Sequence, residues 1–154
     1  MTAGLAMRGG LLVTPLEARH LAGLEVQPSQ AYLAAQLADP ESFAGAVRAL
    51  GPAFAGLIDG RPMIAAGILE QWAGRWIAWA ILSAAAGPHM AAITRAVRVF
   101  LDLQPGQIEA WTHADSPKGA AWARLLRFEL EAPRLAGAFP GGGDATLWSR
   151  VRPC

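Results

Sequence analysis

The chain has no asparagine, one lysine, one tyrosine and one cysteine in 154 residues. Each scarcity excludes something. A single cysteine, Cys154, rules out an internal disulfide, which fits a reducing, cytoplasmic setting. As the last residue it has no neighbours to hold it or lower its pKa, so no catalytic role is assigned to it. Charged residues are few, 16%, and the formal net charge is only +1. That balance gives no long-range pull toward nucleic acid or a membrane surface. No apolar run reaches the roughly 20 residues of a membrane span. The uncharged stretch Trp76–Met90 is broken by Gly87 and Pro88, and the short apolar run between Arg8 and Glu17 does not make a signal peptide. No set of His, Cys, Asp and Glu has metal-ligand spacing, and no GxSxG or Ser/His/Asp arrangement is present. The abundance of Ala, Gly, Arg and Pro beside the lone Lys118 is a genomic bias, so arginine preference by itself carries no function.

What is present is apolar. A hydrophobic content of 53% supplies a core, and the length predicts a single domain, residues 1–154, with 1–10 as a loose lead-in. The pattern predicts a first strand at 11–17, then helical segments from Ala18 and from Pro28 to Leu37. Asp39 is predicted to cap a helix with Pro40 in its first turn and Phe43, Val47 and Leu50 on one face. Three strands follow, 54–58, 63–72 and 75–83, joined by Asp59-Gly60 and Ala73-Gly74 turns. An amphipathic helix begins at Pro88, with Met90, Ile93, Val97, Phe100 and Leu101 on one stripe. Then come a strand at 107–113, a helix opened by Asp115-Ser116-Pro117 with Trp122, Leu125 and Leu126 inward, a strand at 128–132 and a last strand at 145–151. The order predicts a mixed α/β (α+β) sheet, mostly antiparallel, with a central parallel β-α-β unit and helices on both faces.

The organising stretch is Arg75–Leu101, RWIAWAILSAAAGPHMAAITRAVRVFL. An apolar strand runs through a small-residue loop straight into a helix N-terminus. Loop and first-turn N–H groups lack intrahelical partners and the helix dipole adds partial positive charge, so this is an expected anion seat.

AWAILSAAAGPHMAAITRAV is similar to the acetyl-CoA motif of the GNAT (Gcn5-related N-acetyltransferase) superfamily, and IEAWTHADSPKGAAWARLLRFELE resembles the motif that follows it. The resemblance covers about Leu12 to Arg152. It implies a GNAT-like fold, acetyl-CoA or another acyl-CoA as donor, and direct transfer of an acetyl group to an amine. It implies that main-chain groups of Ala80, Ile81, Leu82 and Ser83 pair with the pantetheine arm and help stabilise the oxyanion. N–H groups of Ala85, Ala86, Gly87, His89 and Met90 are then expected on the diphosphate, and Lys118 and Arg124 on the 3′-phosphate. His113 and Glu70 are the candidate general bases. The chain departs from the family at three places. The loop, Ala84–His89, has one glycine and no leading Arg or Gln. The tyrosine that protonates the leaving thiolate is replaced by Ala123, the only tyrosine being Tyr32. The asparagine near the start of the second-motif helix is Ser116.

GPHM…ITRAV…FL, RLLRFELE and DATLWSR also resemble a GNAT-like branch encoded by short-tailed phages and prophages, whose members include internal virion and head-assembly proteins. Two functions therefore stay open: an N-acetyltransferase of small-molecule or protein amines, and a catalytically degenerate assembly component bound to virion proteins. Asp115 reads as a helix cap and His20 as a surface residue. Of the six tryptophans, Trp76, Trp79, Trp111, Trp122 and Trp148 read as core. Trp72 is expected to be exposed, and with the last strand it makes a homodimer an expected assembly.

Overall fold

A computed structural model of the chain describes residues 4–6 and 9–152. Cys154 and Arg8 lie outside the described residues. Eight strands form one sheet in the order β1-β2-β3-β4-β5-β6-β8-β7. Strands β5 and β6 pair in parallel, whereas β1–β2, β2–β3, β3–β4, β6–β8 and β7–β8 pair antiparallel. The expected mixed sheet with one parallel β-α-β unit is therefore observed. By contact the chain separates into two compact units. One takes residues up to Leu69 and Ala80–Ala96; the other takes Glu70–Trp79 and the chain from Val97 onward.

The first unit begins with β1 (Leu5–Ala6), which pairs with β2 (Leu11–Pro15). Helix α1 (Ala18–Ala22) follows. A 3₁₀ segment, Pro28–Leu33, leads into the single turn of α2 (Ala34–Leu37), where one continuous helix was expected. Gln30, at φ −109° and ψ 15°, kinks that segment. Helix α3 (Pro40–Leu50) opens as predicted: Asp39 accepts the Ser42 N–H at 3.2 Å and Pro40 stands in the first turn. It buries Ala44 and Val47, while Leu50 is exposed, because a one-sided contact takes a narrower stripe than the sequence offered.

Strands β3 (Ala53–Ile58) and β4 (Arg61–Trp72) form the predicted hairpin. Asp59 and Gly60 both have positive φ, 49° and 78°, the pair that a two-residue turn needs to match strand twist. Next come β5 (Arg75–Leu82), a 3₁₀ turn at Gly87–His89 and helix α4 (Met90–Asp102). Of the predicted α4 stripe, Ile93, Val97 and Leu101 are buried, and Met90 and Phe100 only half-buried. Buried in the first unit are Leu11, Leu16, Phe54, Ile64, Ile68, Ile81 and Ile93. His20 is buried too, against expectation. Its Nδ1 accepts the Glu17 N–H at 3.0 Å as half of a capping box, and burial lowers its pKa.

The second unit contains β6 (Gly106–His113), α5 (Pro117–Leu125), β7 (Glu129–Leu135) and β8 (Ala145–Arg152). Ser116 caps α5 by accepting the Gly119 N–H at 3.0 Å, so the cap sits one residue beyond Asp115, which is exposed. Helix α5 buries Ala123, with Leu126 buried just beyond its end, whereas Leu125 is exposed. Strand β7 passes through Pro133 instead of ending there; as the terminal strand of the sheet it tolerates a residue without an N–H. Strand β8 is hydrogen-bonded on both edges, by β6 and β7, so the last strand offers no free edge for a dimer. Trp148 is 1% exposed and Trp111 43% exposed, so only the first follows the expected core role. Gly106 has φ +90°, and a Cβ there would lie 2.4 Å from the Gly74 carbonyl oxygen. Only glycine permits the β4–β5 turn to lie this close to the start of β6.

Candidate functional site

Sequence puts the candidate site at the end of β5, and Ser83 builds its loop. Ser83 is buried, and its N–H donates to the Met63 carbonyl at 2.8 Å. Its carbonyl accepts the Ala86 N–H at 3.0 Å and its hydroxyl accepts the Ala85 N–H at 3.0 Å. The Ala84 N–H donates to the Glu25 carbonyl at 2.7 Å. The His89 N–H reaches the Ala86 carbonyl and the Met90 N–H the Gly87 carbonyl, closing the 3₁₀ turn.

These bonds correct the expectation of free converging donors. The amides of Ala84, Ala85, Ala86, His89 and Met90 are all engaged within the chain. Pro88 has none, and Gly87 is the one loop residue whose N–H has no recorded acceptor among the described residues. The cause is conformational. An anion nest alternates right- and left-handed residues so that successive N–H groups point the same way. No residue between Ser83 and Met90 has positive φ. An alanine run with one glycine does not adopt such a nest cheaply, and Ser83 folds the loop inward on itself.

The other half of the site is the edge of β5. Odd-numbered Ser83 bonds toward β4, so the main chain of Ala80 and Leu82 faces the opposite edge, the one on which β6 pairs with β5 at Arg75, Trp76 and Ile77. Past Ile77 that edge is taken by residues from the stretch between β2 and β3. The Leu82 N–H donates to Gln30 Oε1 at 2.9 Å, Gln30 Nε2 donates to the Ala80 carbonyl at 2.8 Å, and the Gln27 N–H donates to the Leu82 carbonyl at 2.9 Å. Gln27 Nε2 also donates to Gln30 Oε1, at 2.9 Å. The Tyr32 phenol also bonds Gln30, and burial raises its pKa, so it is protonated at neutral pH. Neither Gln30 nor its contact with β5 was predicted; a pairing that spans 50 residues leaves no local pattern to read.

The expected side chains are placed as follows. His89 is half-buried in the 3₁₀ turn. His113 ends β6 and is half-buried, its ring stacked on Phe139 at 3.9 Å and 18°. Glu70 is exposed near the end of β4. Lys118 and Arg124 are exposed on α5, and the Arg124 guanidinium lies 5.1 Å from the centre of the Trp148 ring. Ala123, which occupies the expected acid position, is 4% exposed. Sequence reasoning also missed the ion pair between Arg75 and Glu109 beside the β5–β6 ladder, in which the Glu109 side chain is only 9% exposed. A polar basin of about 630 Å³, lined by Asp102, Arg127, Glu129, Glu131 and Arg150, draws on none of these positions; the Arg150–Asp102 and Ser149–Glu131 bonds lie across it. Among the described residues no group of three or more His, Cys, Asp and Glu could hold a metal, and no helix is long and apolar enough to cross a membrane.

No protein-family model matches the chain, and no curated protein matches it by sequence. Solved structures do match. A GNAT-family acetyltransferase from Bacillus anthracis superposes with a TM-score of 0.71 over 96% of this chain and 98% of that one, at 10% identity. This is the GNAT fold. The microcin C7 self-immunity acetyltransferase MccE, solved with acetyl-CoA and AMP, matches with a TM-score of 0.72 at 13% identity, covering 94% of each chain. A phosphinothricin acetyltransferase from Sinorhizobium meliloti, solved with acetyl-CoA, matches at 0.67 and 16% identity, over 92% of this chain and 88% of that one. At such identities the likeness fixes the GNAT fold, and the chemistry has to be argued from the residues.

Proposed function

We propose that this GNAT-fold protein is an acyl-CoA-dependent N-acyltransferase that passes an acetyl group from acetyl-CoA directly to an amine. The observation that carries the reading is the half of β5 that β6 leaves unpaired and a side-chain amide covers. Beyond Ile77 its Ala80 carbonyl and Leu82 N–H have no strand partner and present one acceptor and one donor, which suits the amides of a pantetheine arm. That two of the similar structures were solved with acetyl-CoA adds support.

In this reading the arm lies along Ala80, Ile81 and Leu82, with the diphosphate toward the Gly87 N–H, His89 and the start of α4. The dipole of this 13-residue helix favours negative charge there. Lys118 and Arg124 are assigned the 3′-phosphate. An acceptor amine attacks the thioester carbon, the C–S bond breaks and CoA thiolate leaves. His113 or Glu70 takes the proton from the amine. Most of the rate then comes from holding two reactants together.

The fit is partial at the loop, where the engaged amides leave Gly87 as the main-chain donor. That and the buried Ala123 favour a second reading, a GNAT-fold component that binds without chemistry, such as a phage or prophage assembly protein. A thermal-shift titration with acetyl-CoA followed by a thiol-release assay over a panel of amines tests both. Binding at 100 times the dissociation constant adds about 2.7 kcal/mol of stability. Stabilisation with thiol release supports the transferase, stabilisation without release supports the second reading, and no stabilisation at millimolar acetyl-CoA overturns the first.

A further inference from the structure

We infer that Gln27–Leu33 is an internal strap that competes with the acyl carrier for the edge of β5, with Gln30 as the competing group. The inference rests on the transferase reading above. In a parallel ladder one residue donates its N–H to a carbonyl on the neighbouring strand and accepts an N–H from two residues further along. The Gln30 side-chain amide reproduces this pair on Ala80 and Leu82, at 2.8 and 2.9 Å, further along the edge on which β6 pairs at Arg75–Ile77. A pantetheine amide would offer the same donor and acceptor. Both cannot occupy the edge at once.

The strap is built to be held and to be released. Pro28 sets its entry, the kink at Gln30 turns the side chain onto β5, and the Gln27 side chain and the Tyr32 phenol complete the hydrogen bonding of the amide. No residue from Pro28 to Leu33 is fully buried, and Tyr32 and Leu33 are only half-buried, so the segment has a shallow apolar anchor. It meets β5 through hydrogen bonds, each of modest net strength in water. The free protein is then mostly in a closed state, and the apparent affinity for acetyl-CoA is reduced by the fraction that is open.

The test compares wild type with Gln30→Ala and with Gln30→Leu, which keeps volume if the alanine variant folds poorly. Acetyl-CoA binding is read by calorimetry, and Leu82 amide hydrogen exchange is read without ligand. We expect both variants to bind about tenfold tighter, a difference of about 1.4 kcal/mol, with faster exchange at Leu82 while the Ile64 and Ile81 amides keep their protection. Wild type that binds, with variants that bind equally or more weakly, overturns the strap and leaves the transferase reading in place. Unchanged Leu82 exchange in the ligand-free variants also overturns the strap. Absence of acetyl-CoA binding in all three proteins overturns both.

Discussion

At its first end β5 lies in a ladder with β6 beside the Arg75–Glu109 ion pair, and at its last end the same edge is held by the Gln30 side-chain amide and the Gln27 N–H. One strand is therefore closed in two ways. The first closure buries a charge, so removing a partner leaves an uncompensated carboxylate out of water. The second uses a neutral, half-accessible amide, so its removal returns two main-chain groups to solvent at small cost. The difference is that one end of the strand has a strand partner and a charge pair, and the other end only hydrogen bonds of the kind a ligand amide can make.

Substitutions should separate the two ends, and Arg75→Ala is the harshest. It strands the Glu109 carboxylate and should cost about 3 kcal/mol in urea unfolding, toward the low end for a buried pair because Arg75 is itself partly exposed. Arg75→Met with Glu109→Met should recover most of that loss, and failure to recover would show that the ion pair is not what closes this end. Ala123→Tyr comes next. The position is buried, so placing there the acid that the GNAT resemblance implies should overpack α5, cost about 1–3 kcal/mol and leave thiol release no faster. A faster release would show that the site lacks only its acid.

Acid should loosen the two units at different pH. Burial lowers the His20 pKa below 6.5, so the unfolded chain takes up that proton first. Stability should fall as pH drops below about 6.5, and His20→Gln should flatten this slope in thermal melts. The hydrogen bond from Arg150 lowers the Asp102 pKa below 3.8, so its contribution persists at neutral pH and is lost only as pH falls below that value. The smallest expected effects come from the edges. Tyr32→Phe removes one of the bonds to Gln30 and should tighten acetyl-CoA binding about threefold, since a hydrogen bond nets about 1 kcal/mol or less. Trp72→Ala removes an exposed indole under the Arg75 guanidinium, 5.0 Å away, and should cost about 0.5–1 kcal/mol.

The fold was legible because its cues are local. The Asp59-Gly60 turn, the Asp39 and Ser116 caps and the α4 stripe each need only neighbours within a few residues. Inward faces were less legible. Leu125 looked like core and is exposed, while small Ala123 is buried, since side-chain size does not say which face of a short helix meets the sheet. The site was half legible. Strand, loop and helix stood where the motif put them, but the loop's hydrogen bonds were not, because Ser83 serves the amides that an open nest would have offered. Gln30 was invisible, since nothing near residue 30 announces a partner near residue 81.

An amide-resolved titration with acetyl-CoA, following the backbone of Leu82 and Gly87 and the side-chain NH₂ of Gln30 in one isotope-labelled sample, tests the account most directly. The account predicts that all three signals move together as the arm replaces the glutamine on β5. Folded protein in which they stay fixed at millimolar acetyl-CoA would contradict it.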